Sequence, residues 1–242
     1  MKITTVCFFI VFIIFANLLP TPVSAQKNQS VILAQTKTAG RKIPETAAPS
    51  SIEQVVLEEI NTARTEPQKY IKYLEDYTKL FKGSIVFLPN YLQVETSEGT
   101  AQVDEAIEYL KQVPKLNSYK FSDGLNQISR VQLTDLMEDS MLGHKGKDGS
   151  DLAQRLARVG RFGSLYAENI SHYSEVPRQI VMMMIVDDGV KARSHRKNIF
   201  SPAFGVVGIS FGKGKVGQGL CVVDFADTFF EDKPKSGMPE FR

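Results

Sequence analysis

Cysteine is almost absent from this sequence, which limits how the fold can be stabilised. The two cysteines among 242 residues are Cys7 and Cys221. Cys7 lies within an N-terminal apolar run, so an exported chain that loses this run keeps one thiol and forms no internal disulfide. Such a chain must be stabilised by burial of an apolar core, and its length is sufficient for a large one.

The sequence also lacks an excess of charge and a second long apolar run. Lysine and arginine number 29 and aspartate and glutamate number 27, so the charges nearly balance. This balance gives no reason to expect nucleic acid or an anionic membrane as the main partner. After the N-terminal run, no stretch is apolar for the roughly 20 residues that a bilayer span requires. We therefore expect no nucleic-acid partner and no transmembrane span in the mature chain.

The N-terminus has the three parts of a secretory signal peptide. Met1-Lys2 is positive, Val6 to Leu19 is apolar, and small residues up to Ala25 form a cleavage site. We expect a signal peptide over residues 1–25 and a mature protein that begins at Gln26, secreted to a periplasmic or extracellular location. An uncleaved anchor is the alternative, but the apolar run is short for a span.

Composition divides the rest of the chain into three parts. Residues 26–50 are rich in Gln, Thr, Ala, Ser, Lys and Pro, which predicts a flexible linker. Residues 51–230 carry the periodic apolar pattern of a folded domain. Residues 231–242 are polar and contain proline, which predicts a disordered tail.

Within residues 51–230, helical spacing gives way to strand alternation. Helices are predicted to begin at a cap formed by Ser50 or Ser51 and at Pro67, and to cover Val103–Val113, Asp123–Met141, Asp151–Val159 and Pro177–Asp188. Gly83–Thr100 is predicted to be a loop or a small extended insertion. Val207 to Phe211 and Cys221 to Phe225 alternate around a glycine-rich connection, which predicts a β-hairpin. Helices followed by strands indicate an α+β or layered domain.

Two short motifs match known signatures but lie in the wrong context. Gly208 to Gly212 reads G-x-S-x-G, yet Ser210 falls in a predicted strand and all three histidines precede it. Gly212 to Gly217 reads G-x-G-x-x-G, yet a strand follows where phosphate binding needs a helix. We therefore expect neither a hydrolase elbow nor a phosphate loop.

Titratable side chains are concentrated in the middle of the chain, beside turn residues. They include His144, Glu168, the pair Asp187-Asp188 and His195. Two histidines and several carboxylates could form a metal site or a general acid–base pair. Spacing alone does not distinguish such a site from scattered surface residues, because the two histidines are far apart in sequence.

Four motifs follow one another in an order typical of one known family. They are Glu58-Glu-Ile-Asn61-Thr-Ala-Arg64-Thr-Glu-Pro67, Gly143-His144-x-Gly146-x-Asp148-Gly149, Ala167-Glu168-Asn169-Ile170 and His195-Arg196-x-Asn198-Ile199-x-x-Pro202-x-Phe204-x-x-x-Gly208. Together they resemble a bacterial-type domain of the CAP superfamily (cysteine-rich secretory protein, antigen 5, pathogenesis-related 1) over about Ile52 to Phe230. The resemblance implies a three-layer α/β/α sandwich with a cleft that shows two histidines and two acidic residues.

Carried over residue by residue, the resemblance places His144, Glu168 and His195 in this cleft. The second acid is Asp188, with Asp187 as the competitor. We expect the two histidines, as neutral imidazoles, to hold a divalent cation such as zinc. Glu168 would accept an imidazole N–H and fix its tautomer, and Asp188 would add negative charge.

The neighbours of these residues have supporting roles, and two departures limit the resemblance. Arg196 and Asn198 are expected to brace His195, Asn169 to hydrogen-bond nearby backbone, and His172 to lie at the rim of the cleft. The chain has no tryptophan and no disulfide pair. Toxin and defence roles of animal and plant relatives therefore transfer poorly.

Three functions compete. The first is a secreted binding module whose cleft holds a divalent cation and an extended, lipid-like or sterol-like ligand, with envelope components as further candidate partners. The second is a hydrolase, a peptidase or esterase, that uses the same cleft with acid–base or metal chemistry. The third is a cysteine hydrolase that uses Cys221 and His195. Burial of Cys221 in an apolar strand is expected, and it counts against the third.

Overall fold

The computed structural model describes residues 48–88, 93–139, 143–215 and 217–232. The predicted signal peptide, nearly all of the predicted linker and most of the predicted tail lie outside these ranges. The elements are α1 (Ser51–Thr65), α2 (Pro67–Thr78), β1 (Phe81–Lys82), β2 (Ile85–Phe87), β3 (Gln93–Glu95), α3 (Ala101–Gln112), β4 (Lys120–Phe121), α4 (Asp123–Glu138), α5 (Leu152–Leu156), β5 (Gly160–Phe162), β6 (Tyr166–Tyr173), α6 (Pro177–Val186), α7 (Ser194–Ile199), β7 (Val206–Lys213), β8 (Gly219–Ala226) and β9 (Phe229–Glu231). None of the helices in these ranges has the length and hydropathy needed to cross a bilayer.

The main sheet has four strands in the order β4-β7-β8-β6. β7 and β8 form the predicted hairpin, with Val206 opposite Ala226 and Lys213 opposite Gly219. β6 pairs antiparallel with the other side of β8 along its whole length, and β4 pairs parallel with β7. β6 is the last strand of this sheet, so within the described ranges its outer edge is open.

Alternate side chains of β8 enter two different helical layers, because successive residues of a strand point to opposite faces. Cys221 and Phe225 belong to the main core, together with apolar residues of α1, α2, α3, α6 and α7. Leu220 and Ala226 belong to smaller clusters with α4 and α5. The domain is therefore an α+β fold with the predicted three-layer α/β/α arrangement.

The beginnings of the first two helices follow the predicted signals. The Ser50 hydroxyl accepts the Glu53 N–H at 3.4 Å, and the Ser50 N–H donates to Glu53 Oε2 at 2.6 Å. This reciprocal pair is the predicted cap. Glu53 Oε1 also accepts the Phe211 N–H at 3.0 Å, which joins α1 to β7. α2 begins at Pro67, where the missing N–H of proline costs no helical hydrogen bond.

The G-x-S-x-G segment serves packing. A Cβ on Gly208 would lie 2.1 Å from the carbonyl carbon of Leu125 and 2.2 Å from the nitrogen of Asn126, so α4 crosses β7 at a position that has room only for glycine. Ser210 is fully buried, and its hydroxyl lies 2.8 Å from that of Ser129. The prediction that this serine lies within a strand, away from any nucleophile elbow, is confirmed.

Other segments differ from the expectations or refine them. Gly83–Thr100 contributes β2 and β3 to a separate three-stranded sheet, which confirms an extended insertion. The segment around Glu168, which has no predicted secondary structure, is the strand β6, and His195 lies in the short helix α7. The last strand, β9, ends at Glu231, one residue beyond the predicted end of the domain.

Candidate functional site

The first histidine is held by a buried glutamate. His144 Nδ1 lies 2.9 Å from Glu168 Oε1, so His144 is the histidine that Glu168 contacts. Arg155 Nη2 donates to Glu168 Oε2 at 2.6 Å, and Arg155 Nη1 donates to the His144 carbonyl at 3.1 Å. The His144 side chain is 60% exposed, whereas those of Glu168 and Arg155 are each 2% exposed. A buried ion pair therefore presents a solvent-accessible imidazole.

A second buried carboxyl group lies beside this pair. Asp224 of β8 stands opposite Glu168 of β6, and it is fully buried. Burial raises the pKa of Asp224 well above its ordinary value, and the negative charge of Glu168 raises it further. Among the described residues, no N–H or hydroxyl group donates a hydrogen bond to either of its oxygens. Burial and the neighbouring Glu168 therefore both favour the protonated form of Asp224.

The second histidine is held by Asp187. His195 Nδ1 lies 2.7 Å from Asp187 Oδ1, and the His195 N–H donates to Asp187 Oδ2 at 2.8 Å. Asp188 has other partners, because its carboxylate accepts the N–H groups of Ser97 and Glu98 at 2.7 and 3.0 Å. The sequence favoured Asp188 over its competitor Asp187. In the structure, however, Asp187 makes the histidine contact, and Asp188 anchors the segment before α3.

Two arginines fix α7 and hence His195. Arg196 is buried, and it donates to the carbonyls of Ile185 and Val186 at 2.5 and 3.1 Å and to Glu105 at 3.0 Å. The predicted bracing role of Arg196 is confirmed. Arg193 donates to Glu105 at 2.6 Å and forms an ion pair with Glu98, and its hydrogen bond lowers the pKa of that carboxyl group to about 2.

The two histidine–carboxylate pairs are connected through β6. Glu168 shares a face of the strand with Asp224, on the side of α4 and α5. The next residue, Asn169, points to the opposite face and donates to the His195 carbonyl at 3.0 Å. Its oxygen accepts from Asn198 Nδ2 at 2.8 Å, so Asn198 braces the histidine as predicted, and Asn169 bonds backbone that is distant in sequence.

A cavity of about 280 Å³ lies beside His195. Its walls combine β3, the start of α3, the end of α6 and the strand β6; they include Val94, Glu95, Thr96, Gln102, Ile170, Ser171, His172, Tyr173, Asp187 and Asp188. In the described structure the walls include neither His144 nor Glu168. Burial lowers the pKa of His172, and the neighbouring His195 lowers it further. Burial and the charge of Asp188 raise the pKa of Tyr77, also in the wall, to about 12.

Among the described side chains, the imidazoles of His144 and His195 are the candidate metal ligands that the sequence offered. The described side chains form no group of three or more His, Cys, Asp or Glu residues placed to hold an ion. Because Nδ1 of His144 and of His195 contacts a carboxylate, the nitrogen left for an ion on each ring is Nε2. The donor chemistry fits zinc, with water or a ligand completing the coordination.

The cysteine is not available for catalysis. Cys221 is 1% exposed, and burial raises the pKa of its thiol. It packs in the main core on the side of α1. The prediction that Cys221 is a small buried apolar residue is confirmed, and a thiolate nucleophile has no support.

Sequence reasoning missed Arg155 and Asp224. A signal for Asp224 was present, since it is the one charged residue in the apolar run Gly219–Ala226, and a buried carboxyl group needs a compensating partner. Arg155 gave no such signal, because it lies on a helix of five residues among other charged groups.

The sequence model of the Cysteine-rich secretory protein family (CAP) matches residues 57–225, more than half of the chain. A search of curated proteins finds no match.

Solved structures that match include an outer surface protein from Borrelia burgdorferi. It matches at 20% identity and a TM-score of 0.41, over 51% of this chain and 86% of that one. An extracellular protein containing a SCP domain from Bacillus anthracis str. Ames matches at 16% identity and a TM-score of 0.38, over 56% of this chain and 46% of that one. BmVAL-1 matches at 8% identity and a TM-score of 0.38, over 77% of this chain and 82% of that one. On the extent of the family match, the chain belongs to the Cysteine-rich secretory protein family.

Proposed function

We propose that this is a binding protein whose cleft holds a divalent cation and an extended organic ligand. The observation that carries the proposal is the shared arrangement of the two histidines, in which Nδ1 lies 2.9 Å from Glu168 in His144 and 2.7 Å from Asp187 in His195. Each carboxylate fixes the tautomer of its imidazole and leaves Nε2 for an external group. Two such rings facing one cleft would provide binding groups without a catalytic nucleophile.

The metal would be bound modestly and would stay open to a ligand. His144 and His195 provide two donors, whereas closed structural zinc sites have four. Glu168 and Asp187 would orient the rings toward the ion. A bound cation would supply Lewis acidity toward a carbonyl oxygen of the ligand.

Binding without turnover is favoured over hydrolysis. Ser210 is fully buried between β7 and α4, and Cys221 is buried in the core, so neither reaches the cleft. A hydrolase would need another nucleophile or a metal-activated water. The hydrolase is therefore kept as the alternative that an activity assay must address.

A lipid-like ligand has a second place to bind. A groove of about 490 Å³ lies between α1, α2 and α6, and its mostly apolar walls include Val55, Tyr73, Leu80, Val176 and Met182. Val55 and Val176 are each 39% exposed and Leu80 is 37% exposed, so apolar surface faces solvent here. A hydrocarbon chain in this groove would cover that surface.

The proposed place of action is outside the cytoplasm. The support is the signal-peptide pattern of residues 1–25. Secreted material whose N-terminal residue is Gln26 would support this location, and secreted material that still begins at Met1 would contradict it.

One experiment tests the cleft directly. Protein stripped of metal with a chelator should take up zinc again at neutral pH, and it should turn over no member of a peptide, ester and glycan panel. Failure to take up zinc would reject the proposed metal site. Turnover that a chelator abolishes establishes the hydrolase in place of the binding protein.

A further inference from the structure

We propose that the cavity beside His195 binds a peptide in extended conformation, and that Gln102 recognises one of its peptide groups. The inference rests on the proposed binding function and adds the chemical class of the ligand. Three independent observations carry it: an unsatisfied buried amide, an open strand edge and the charge of the cavity wall.

The buried amide belongs to Gln102, at the start of α3. Its side chain lines the cavity, and the residue is 1% exposed. Neither Nε2 nor Oε1 has a hydrogen-bond partner among the described residues. Leaving a buried carboxamide unpaired is unfavourable, and folded proteins rarely tolerate it without a functional reason. A peptide group supplies one acceptor and one donor, which match the donor and the acceptor of this side chain.

The open edge belongs to β6. Ile170, Ser171, His172 and Tyr173 all line the cavity, although successive side chains of a strand point to opposite faces. A cavity that contacts all four therefore lies along the edge of the strand. In the described ranges β6 pairs with β8 alone, so the outer N–H and C=O groups of this edge can pair with an added strand.

The charge of the wall excludes anionic ligands. Glu95, Asp187 and Asp188 line the cavity, and no lysine or arginine is among the lining residues of the described structure. A phosphate or carboxylate would be repelled by these groups. A neutral peptide backbone avoids this repulsion, and its pattern of alternating donors and acceptors fits both the edge of β6 and Gln102.

The test uses the mature chain labelled with ¹⁵N-glutamine, and N-acetyl-trialanine-N-methylamide as the probe. The side-chain amide signals of Gln102 should shift saturably with the peptide. Gln102→Met removes both hydrogen-bonding atoms at similar size and should weaken binding tenfold or more. Gln54→Met is the matched control, because Gln54 is exposed on α1. Equal affinity in wild type and Gln102→Met would overturn the inference.

A second measurement needs no ligand. Gln102→Met replaces an unpaired buried amide by an apolar group of similar shape, so the free protein should melt roughly 2–4 °C higher than wild type. A lower melting temperature would show that Gln102 already has a partner, such as a buried water, and would reject its role. If the protein takes up zinc but does not bind the peptide, this inference alone is rejected. If it neither takes up zinc nor binds the peptide, the proposed function is rejected as well.

Discussion

Glu168 and Asp224 stand opposite each other on β6 and β8, and one guanidinium, that of Arg155, reaches Glu168 at 2.6 Å. Two buried carboxyl groups beside a single cation cannot both ionise cheaply, and this raises the pKa of Asp224. The arrangement therefore disfavours a second negative charge in the core.

Asp224→Asn should change how stability depends on pH. Because the pKa of Asp224 is raised in the folded protein, the folded state keeps a proton that the unfolded state loses above about pH 4. The contribution of Asp224 to the free energy of unfolding is therefore fully present in acid. It falls by up to about 1.4 kcal/mol per pH unit as the pH rises toward the pKa of Asp224 in the folded protein. Asparagine cannot ionise, so the free energy of unfolding of the variant, relative to that of wild type, should increase as the pH rises.

Urea unfolding between about pH 4 and about pH 7 measures this difference, with the exposed Asp232→Asn as control. Parallel profiles for wild type and Asp224→Asn would mean that Asp224 is ionised.

His144→Ala and His195→Ala should each abolish zinc binding at neutral pH, because each removes one of two donors. Glu168→Gln should weaken binding roughly 10–100-fold, since it loosens the ring that it orients. Affinity should fall as the pH is lowered, because protons compete with the metal for imidazole nitrogen. Isothermal titration calorimetry checks all three. Equal heats for wild type and His144→Ala would leave the cleft as a purely organic binding groove.

Asp187→Asn and Asp188→Asn form a matched pair of adjacent, chemically identical changes. Asp187 contacts both the ring and the N–H of His195, so its loss should weaken zinc binding by about tenfold or more. Asp188 bonds the backbone of Ser97 and Glu98, so its loss should leave zinc affinity within about twofold. The reverse order of effects would make Asp188 the second cleft acid.

Cys221 should resist modification in the native protein. Its thiol is 1% exposed and its pKa is raised by burial, so thiolate is scarce and out of reach. A thiol reagent should label it at the rate of unfolding, and reductant should leave the melting temperature of dilute monomer unchanged. Rapid labelling of folded protein would show that the strand β8 opens.

Gly208→Ala should destabilise the protein far more than Gly143→Ala. A methyl group on Gly208 meets backbone atoms of α4, which cannot move aside as a side chain could, and should cost about 3 kcal/mol or more. Gly143 has open space around it but a φ of 57°, so alanine there should cost about 1 kcal/mol through backbone strain alone. Chemical denaturation of both variants gives the comparison. Similar losses would mean that α4 can shift away from β7.

The sequence predicted the helices and the hairpin because their apolar residues recur with a clear period. It did not predict β6, because this strand carries polar residues on both faces. Glu168 and His172 point one way and Asn169 and Ser171 the other, so the alternation that marks a half-buried strand is missing. Partners distant in sequence, such as Arg155, satisfy these groups, and local patterns contain no information about them.

The choice between the two adjacent aspartates also lay beyond the sequence. Asp187 ends α6 in a left-handed conformation, with φ 59° and ψ 47°, which turns its carboxylate toward the start of α7. The order of two identical residues does not reveal which of them adopts this conformation. The burial of Gln102 could not be predicted from the sequence either, because a glutamine near the start of a helix is usually exposed to solvent.

β6 gives the cleft a mechanical property as well as its shape. The strand holds Glu168, the partner of His144, and Asn169, which ties down the His195 carbonyl. Its ladder to β8 runs through all eight residues, so the strand can open only as a cooperative unit. A fluctuation that frees one histidine therefore loosens the other, and a ligand that clamps either side restrains both.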